Sequence, residues 1–138
     1  MYPEEIVAPM KAELTAIGFH NLTSAAEVTA QIENTEGSML LVFNSVCGCA
    51  AAGARPGVRM ALEGASKRPD RLVTVFAGVD TEAVAQARQF LAPYPASSPS
   101  IALFKDGNLI HFVERHFIEG RPAAMIAEHL KGVMDEKL

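Results

Sequence analysis

The sequence predicts an α/β domain with a central mixed four-stranded sheet and helices on both faces. Apolar strand-like runs alternate with helical patterns through the middle of the chain, which is typical of strand–helix–strand crossovers. A tight-turn signal, Asp106-Gly107-Asn108, separates the last two apolar runs and predicts a hairpin. A chain of 138 residues is long enough for a sizeable core, so we expect one domain over residues 1–138.

Two extra helices are expected before the sheet. The first is predicted over residues 3–17, where Pro3 suits the first helical position and Gly18 a C-terminal stop. Its apolar stripe comprises Ile6, Met10, Leu14 and Ile17. The second helix follows Ser24, whose spacing to Glu27 is that of a capping box.

The four strands are predicted at residues 39–44, 72–77, 100–105 and 109–114. A helix that ends near Ser66 joins the first two strands, and Pro56 is expected to kink it. A helix capped by Asp80 or Thr81 leads towards the third strand, and a last helix opens at Arg121. The two helical crossovers predict parallel neighbours, whereas the hairpin adds an antiparallel edge.

Composition narrows the range of partners. The net charge is −4 and no stretch is rich in Lys or Arg, so neither nucleic acid nor an anionic membrane is an expected partner. The apolar runs are too short to span a bilayer. Because the N-terminal residues lack the pattern of a signal peptide, we expect the protein in the cytoplasm.

The two cysteines of the chain form a single motif, Cys47-Gly48-Cys49. The motif lies between the end of the first predicted strand and the start of a helix, where a helix N-terminus stabilises a thiolate. Cytoplasmic thiols are kept reduced, so the pair is expected to be catalytic, redox-sensing or metal-binding rather than a structural disulfide. The residues alone leave these three options open.

The order of elements resembles the thioredoxin fold. The resemblance depends on the thiol motif after the first strand, on Pro99 directly before the third strand, and on the turn at residues 104–107. It implies that the Ser98–Pro99 bond is cis and lies against the thiol pair. The backbone of Ser98 would then be free to pair with an extended substrate.

A closer resemblance, over essentially the whole chain, is to the bacilliredoxin family. It is carried by residues 44–51 with 54–57, by 97–100, and by 114–116 with 118–120. The resemblance implies a bacterial thiol-disulfide oxidoreductase that removes a low-molecular-weight thiol, bacillithiol, from mixed disulfides on cytosolic proteins, or that isomerises disulfides. No cofactor is expected. The motif is one residue shorter than the CxxC of thioredoxins, so the role of a general disulfide reductant is not implied.

Disulfide exchange assigns a different role to each cysteine. Cys47 is expected to attack, because it is closest to the helix cap, and Cys49 to resolve the mixed disulfide. Gly48 keeps the link small and permissive. A Cys47–Cys49 disulfide would close a tighter ring than CxxC allows, so we expect a couple more oxidising than the roughly −270 mV of thioredoxin.

Three further side chains are candidates for contact with an anionic thiol or a thiolate: Arg55, Arg115 and His116. Each is also compatible with an ordinary solvated charge or a packing pair. His20, His111 and His129 have no partner that the sequence identifies.

Other functions compete with disulfide exchange. A CxC pair binds soft metals such as Cu or Zn, although two thiolates fill only half of a tetrahedral site and no second metal motif is present. A cysteine hydrolase leaves the second cysteine without a role. A noncatalytic thioredoxin-like adaptor does not require both cysteines and Pro99.

Overall fold

The structure is a computed structural model that describes residues 2–33 and 36–138. Its elements, in chain order, are α1 (Glu4–Thr15), β1 (His20–Asn21), α2 (Ala25–Glu33), β2 (Ser38–Asn44), α3 (Arg55–Gly64), β3 (Arg71–Phe76), α4 (Thr81–Gln89), β4 (Ser100–Lys105), β5 (Asn108–Val113) and α5 (Ala123–Lys137). A π-helical turn over Ala50–Ala54 leads into α3, and a 3₁₀ turn over Arg115–Phe117 follows β5.

The strands form one mixed sheet in the order β1-β3-β2-β4-β5. The α/β class and the flanking helices are confirmed, but the sheet has a fifth strand, because His20 and Asn21 pair in parallel with β3. The predicted parallel arrangement after the second crossover is wrong, since β4 runs antiparallel to β2. The segment after α4 carries the chain back along the sheet, and Ser100 pairs with Phe43 near the end of β2.

The central strand β2 is buried along its whole length. Its side chains alternate between two cores, as strand geometry requires. Leu40 and Val42 pack with residues of α1, α3 and α5, whereas Leu41 and Phe43 pack with residues of α2 and α4. The two layers of helices therefore hold the end of β2, at Asn44, in a fixed position.

The N-terminal helices largely follow their sequence signals. The capping box of α2 is present, with Glu27 N–H donating to Ser24 Oγ at 3.2 Å and Ser24 N–H donating to the Glu27 carboxylate at 3.1 Å. In α1 the predicted stripe is wrong at Ile6, which is exposed; Val7 is buried instead. Val7 lies two helical turns before Leu14, the other buried residue of α1, so these two residues define its buried face and Ile6 lies beside it.

The segment that carries the thiol motif is held close to α5. Pro56 lies in the first turn of α3, directly after the π-helical turn, so the irregular geometry is on its N-terminal side. A Cβ atom at Gly57 would lie only 2.8 Å from the side chain of Ile126 on α5. This close approach fixes the helix that follows the cysteines against the terminal helix. No helix within residues 2–33 and 36–138 is long and apolar enough to cross a membrane.

Candidate active site

Cys47 lies between the end of β2 and the first helical turn, and both cysteines are free and partly exposed. Its carbonyl oxygen accepts hydrogen bonds from the backbone N–H groups of Ala50 at 2.9 Å and Ala51 at 3.2 Å. Its Sγ atom accepts the backbone N–H of Cys49 at 3.4 Å. The sulfur therefore occupies the place of a side-chain cap at a helix N-terminus, where an anion is stabilised.

The guanidinium of Arg115 joins three parts of the site. Its Nη2 donates to Cys47 Sγ at 3.2 Å and its Nη1 donates to the carbonyl oxygen of Ser98 at 3.0 Å. Its Nε donates to a carboxylate oxygen of Glu119 at 2.6 Å. The 3₁₀ turn after β5 thus brings a positive charge to the sulfur and places Ser98 beside the thiol motif.

The two thiols have opposite pKa shifts. The pKa of Cys47 is lowered, mainly by the backbone N–H of Cys49 and further by the Cys49 thiol and the charge of Arg115, against the effect of burial. The pKa of Cys49 is raised, mainly by its hydrogen bond to the Cys47 side chain and further by burial. The site therefore concentrates negative charge on Cys47 and keeps Cys49 protonated.

The Ser98–Pro99 bond is cis, as the resemblance implied, and Pro99 is buried at the start of β4. The Ser98 carbonyl is not free, however, since it accepts the hydrogen bond from Arg115. The backbone N–H of Arg115 also donates a hydrogen bond to Oγ of Ser97, the residue before Ser98, at 3.4 Å. A substrate that pairs with Ser98 must share or displace this guanidinium.

Arg55 fits the packing pair that was one of its options, and its described contacts do not include a cysteine sulfur. Its side chain is buried, with 3% of the residue exposed, and its Nη1 donates to Asn44 Oδ1 at 3.0 Å and to the Ser45 carbonyl at 2.8 Å. On its other side, Nε lies 3.0 Å from a carboxylate oxygen of Glu13 on α1, an ion pair without hydrogen-bond alignment. The guanidinium binds the backbone and side chains beneath the motif instead of an incoming anion.

Asn44 and Ser45 are site residues that the sequence reasoning missed. Asn44 Oδ1 accepts the backbone N–H of Ser45 at 2.8 Å, and Ser45 Oγ accepts the backbone N–H of Cys47 at 3.1 Å. Asn44 Nδ2 donates to the carbonyl of Met10 on α1 at 3.2 Å. A signal was available, because two polar residues end an otherwise apolar buried run, and buried polar groups need partners. Glu119 also had a signal, the i,i+4 spacing to Arg115.

Two predicted site residues, Gly48 and His116, are exposed, and the described hydrogen bonds to the cysteine sulfurs do not involve them. Gly48 is exposed, its φ lies outside the left-handed region, and a Cβ atom there would meet nothing within 4 Å. His116 is exposed and its ring lies 4.2 Å from that of Phe117, centroid to centroid. Within residues 2–33 and 36–138, no group of three or more His, Cys, Asp or Glu side chains is placed to hold a metal ion.

Comparison with known proteins places this site in a family. A family model described as Disulphide isomerase matches residues 2–137. The bacilliredoxin of Cytophaga hutchinsonii is 63% identical over 136 residues, which are 99% of each chain. The chain belongs to the bacilliredoxin family. A bacilliredoxin of Bacillus cereus is 47% identical over 98% of this chain and 94% of its own length, and that of Salinibacter ruber is 50% identical over 94% and 76%.

Solved structures show the fold. Mitochondrial thioredoxin 3 from Saccharomyces cerevisiae, in its oxidised form, superposes with a TM-score of 0.58 at 18% identity over 90% of this chain and 98% of its own. Oxidised thioredoxin from Plasmodium falciparum gives 0.55 at 14% identity over 85% and 99%. The fold is thioredoxin-like, as the resemblance implied. Family and fold together support a thiol-disulfide redox role for the chain.

Proposed function

We propose that this protein is a thiol-disulfide oxidoreductase that removes a low-molecular-weight thiol, bacillithiol, from mixed disulfides on cytoplasmic proteins, or that isomerises disulfides through the same pair. The observation that carries the proposal is the geometry at Cys47, whose Sγ atom accepts hydrogen bonds from the Cys49 backbone N–H and the Arg115 guanidinium. Cys47 has its pKa lowered and Cys49 has its pKa raised, although only one residue separates them. Disulfide exchange needs one ionised and one protonated thiol, because the thiolate is the attacking nucleophile and the second thiol reacts only after the mixed disulfide has formed.

In the first step, the Cys47 thiolate attacks the small-thiol sulfur of a protein–S–S–R adduct. A bond forms between Cys47 Sγ and the sulfur of the small thiol while the old S–S bond breaks. The client cysteine leaves with the electron pair as a thiolate and takes up a proton from solvent. Before the attack, the Cys49 N–H and the Arg115 guanidinium hold the negative charge on Cys47.

In the second step, the adduct on Cys47 is resolved. Cys49 loses its proton and attacks Cys47 Sγ, which releases the small thiol as a thiolate and leaves a Cys47–Cys49 disulfide. The main cause of the raised pKa of Cys49 is its contact with Cys47. Once Cys47 is in a mixed disulfide its negative charge is gone, so Cys49 becomes easier to ionise when it is needed. A second small thiol that attacks the adduct would regenerate Cys47 directly.

The client is expected to lie along the backbone before β4. Ser98 lies beside Cys47, because Arg115 donates both to the Ser98 carbonyl and to Cys47 Sγ. An extended client segment that pairs with Ser98 would draw the guanidinium away from the carbonyl while it stays close to the sulfur. Nucleic acid and membranes are not expected partners.

Trapping of the intermediate tests this proposal. Cys49→Ala protein is incubated with a purified client protein that carries a bacillithiol adduct on a single cysteine. Intact mass is expected to show release of the client thiol and a bacillithiol adduct on Cys47. Cys47→Ala is the matched control and should leave the client modified. If Cys47→Ala removes the adduct and Cys49→Ala does not, the two roles are reversed; if neither wild type nor variant removes it, the proposed substrate is wrong.

A further inference from the structure

A concave site lies between β5, the 3₁₀ turn and α5. It is a cavity of about 360 Å³, within the size range of small-molecule pockets. Its walls include His111 and Phe112 from β5, Phe117 from the 3₁₀ turn, and Met125 and His129 from α5. Neither cysteine lines the cavity, and the chemistry described above does not use it.

The polar groups of this cavity are all basic. They are Arg121, His111 and His129, and no acidic residue is among the described residues that line it. The guanidinium carbon of Arg121 lies 5.4 Å from the centre of the Phe117 ring, and Arg121 forms no ion pair with a described carboxylate. The cavity therefore offers an uncompensated positive charge at its rim.

The two histidines converge on one point of the wall. Their Nε2 atoms are 2.9 Å apart, although the residues are 18 positions apart in the chain. Burial lowers the pKa of His111, and the nearby His129 and Lys137 lower it further. Both of these neighbours act on His111 as cations, so a bound anion would oppose their effect on its pKa.

The remaining wall is apolar, and part of it is uncovered. Phe117 is 45% exposed and Met125 is 53% exposed, which is unusual for large apolar side chains that lie beside each other at a cavity. Met125 and His129 share a helical face, four residues apart, so the apolar and basic surfaces are adjacent. A ligand must match both surfaces.

We propose that this cavity binds a small amphipathic carboxylate, with its hydrocarbon part against Phe112, Phe117 and Met125 and its carboxylate directed to Arg121 and the histidine pair. Charge complementarity selects the anion, and the apolar wall selects the hydrocarbon. This inference does not depend on the function proposed for the thiols.

Titration of the reduced wild-type protein with octanoate tests the inference, with backbone amide NMR shifts as the readout. We expect saturable shifts at the lining residues and binding about tenfold tighter than that of octanol, which has the same chain length and no charge. Competition at the thiol motif is excluded if the shifts persist in Cys47→Ala protein.

Two variants test the contributions of the Arg121 charge and of the apolar wall to octanoate binding, and a third is the control. Arg121→Gln should weaken octanoate binding about tenfold, whereas Arg59→Gln, at an exposed arginine of α3, should leave it unchanged. Met125→Glu, at an exposed position, should reduce binding at least tenfold through repulsion while the fold is kept. Equal affinity for octanol and octanoate, equal effects of Arg121→Gln and Arg59→Gln, or shifts confined to the thiol motif would each overturn the proposal.

Discussion

Arg55 and Arg115 lie on two sides of the same thiol motif, and they differ in burial and in what they contact. Arg55 is almost fully buried and binds Asn44 and Ser45 beneath the loop. Arg115 has a side chain that is 39% exposed and donates directly to Cys47 Sγ. Each also pairs with one half-exposed glutamate. The comparison separates two tasks, since one arginine holds the position of the loop and the other stabilises charge on the sulfur.

The largest expected effect is the loss of stability in Arg55→Met. The change leaves buried acceptors at Asn44 and Ser45 without their donor, so the free energy of unfolding should fall by about 2–4 kcal/mol. Urea unfolding of the reduced protein measures it. Arg59→Met, on the exposed side of the same helix, is the matched control and should change stability by less than about 0.5 kcal/mol. If the two variants were equally stable, Arg55 would have no special role in holding the structure together.

Arg115→Met should act mainly on chemistry. Loss of the charge and of one hydrogen bond raises the pKa of Cys47, so the alkylation rate at pH 7 should fall. Because the guanidinium is partly exposed to solvent, the decrease should be only roughly three- to tenfold. Stability should change by less than about 1 kcal/mol. Arg115→Lys should recover only part of the rate, because an ammonium group cannot span sulfur and carbonyl as a guanidinium does. An unchanged alkylation rate in Arg115→Met would show that the contact at 3.2 Å has no effect on the thiolate.

A smaller effect, on the reduction potential, is expected from a change at Gly48, which links the two cysteines. A Cβ at Gly48 meets nothing in the reduced structure, so Gly48→Ala should stabilise the reduced helix start by up to about 1 kcal/mol. Alanine restricts the backbone of the link more than glycine does, which disfavours closing of the short ring. The reduction potential, expected above about −270 mV in the wild type, should therefore rise further in glutathione equilibration. A potential at or below that of thioredoxin, or a lower one in the variant, would contradict this.

Local sequence patterns predicted the elements around the thiol motif. The strand before Cys47, the helix after it and Pro99 before β4 followed from apolar runs and local signals. The fifth strand did not, because His20 and Asn21 form a two-residue strand that carries no periodicity. The direction of β4 did not either, since a proline-rich connection is compatible with entry at either end of the sheet. The roles of the cysteines and the reduction potential stay predictions.

Residue patterns alone did not separate the two arginines. They left both with the same options: contact with an anion or thiolate, a solvated charge, or a packing pair. Arg55 pairs with Glu13 of α1, which is 42 positions away in the chain. Arg115 follows β5, which is separated from β2 by β4 in the sheet. The pair of His111 and His129 was missed for the same reason. Contacts between elements that are distant in sequence require the topology, which local patterns do not determine.

The smallest effects are expected at the two glutamates, which form a matched pair. Glu13→Gln should lower the free energy of unfolding by about 0.5 kcal/mol without changing Cys47 alkylation, because its partner acts only on the loop. Glu119→Gln removes an anion that competes with the sulfur for Arg115, so alkylation at pH 7 should rise, by less than about threefold, at nearly constant stability. The opposite pattern, with chemistry changed by Glu13→Gln and stability by Glu119→Gln, would reverse the tasks of the two arginines.

The pH dependence of thiolate formation in single-cysteine proteins tests directly whether Cys47 is the more acidic of the two thiols. Thiolate absorbance near 240 nm is recorded for Cys49→Ser, which keeps Cys47 and the backbone N–H that is the main cause of its lowered pKa, and for Cys47→Ser, which keeps Cys49. We predict that Cys47 ionises with a pKa below the roughly 8.5 of a free cysteine and lower than the pKa of Cys49. A Cys47 pKa at or above that value, or a lower pKa for Cys49, would contradict it.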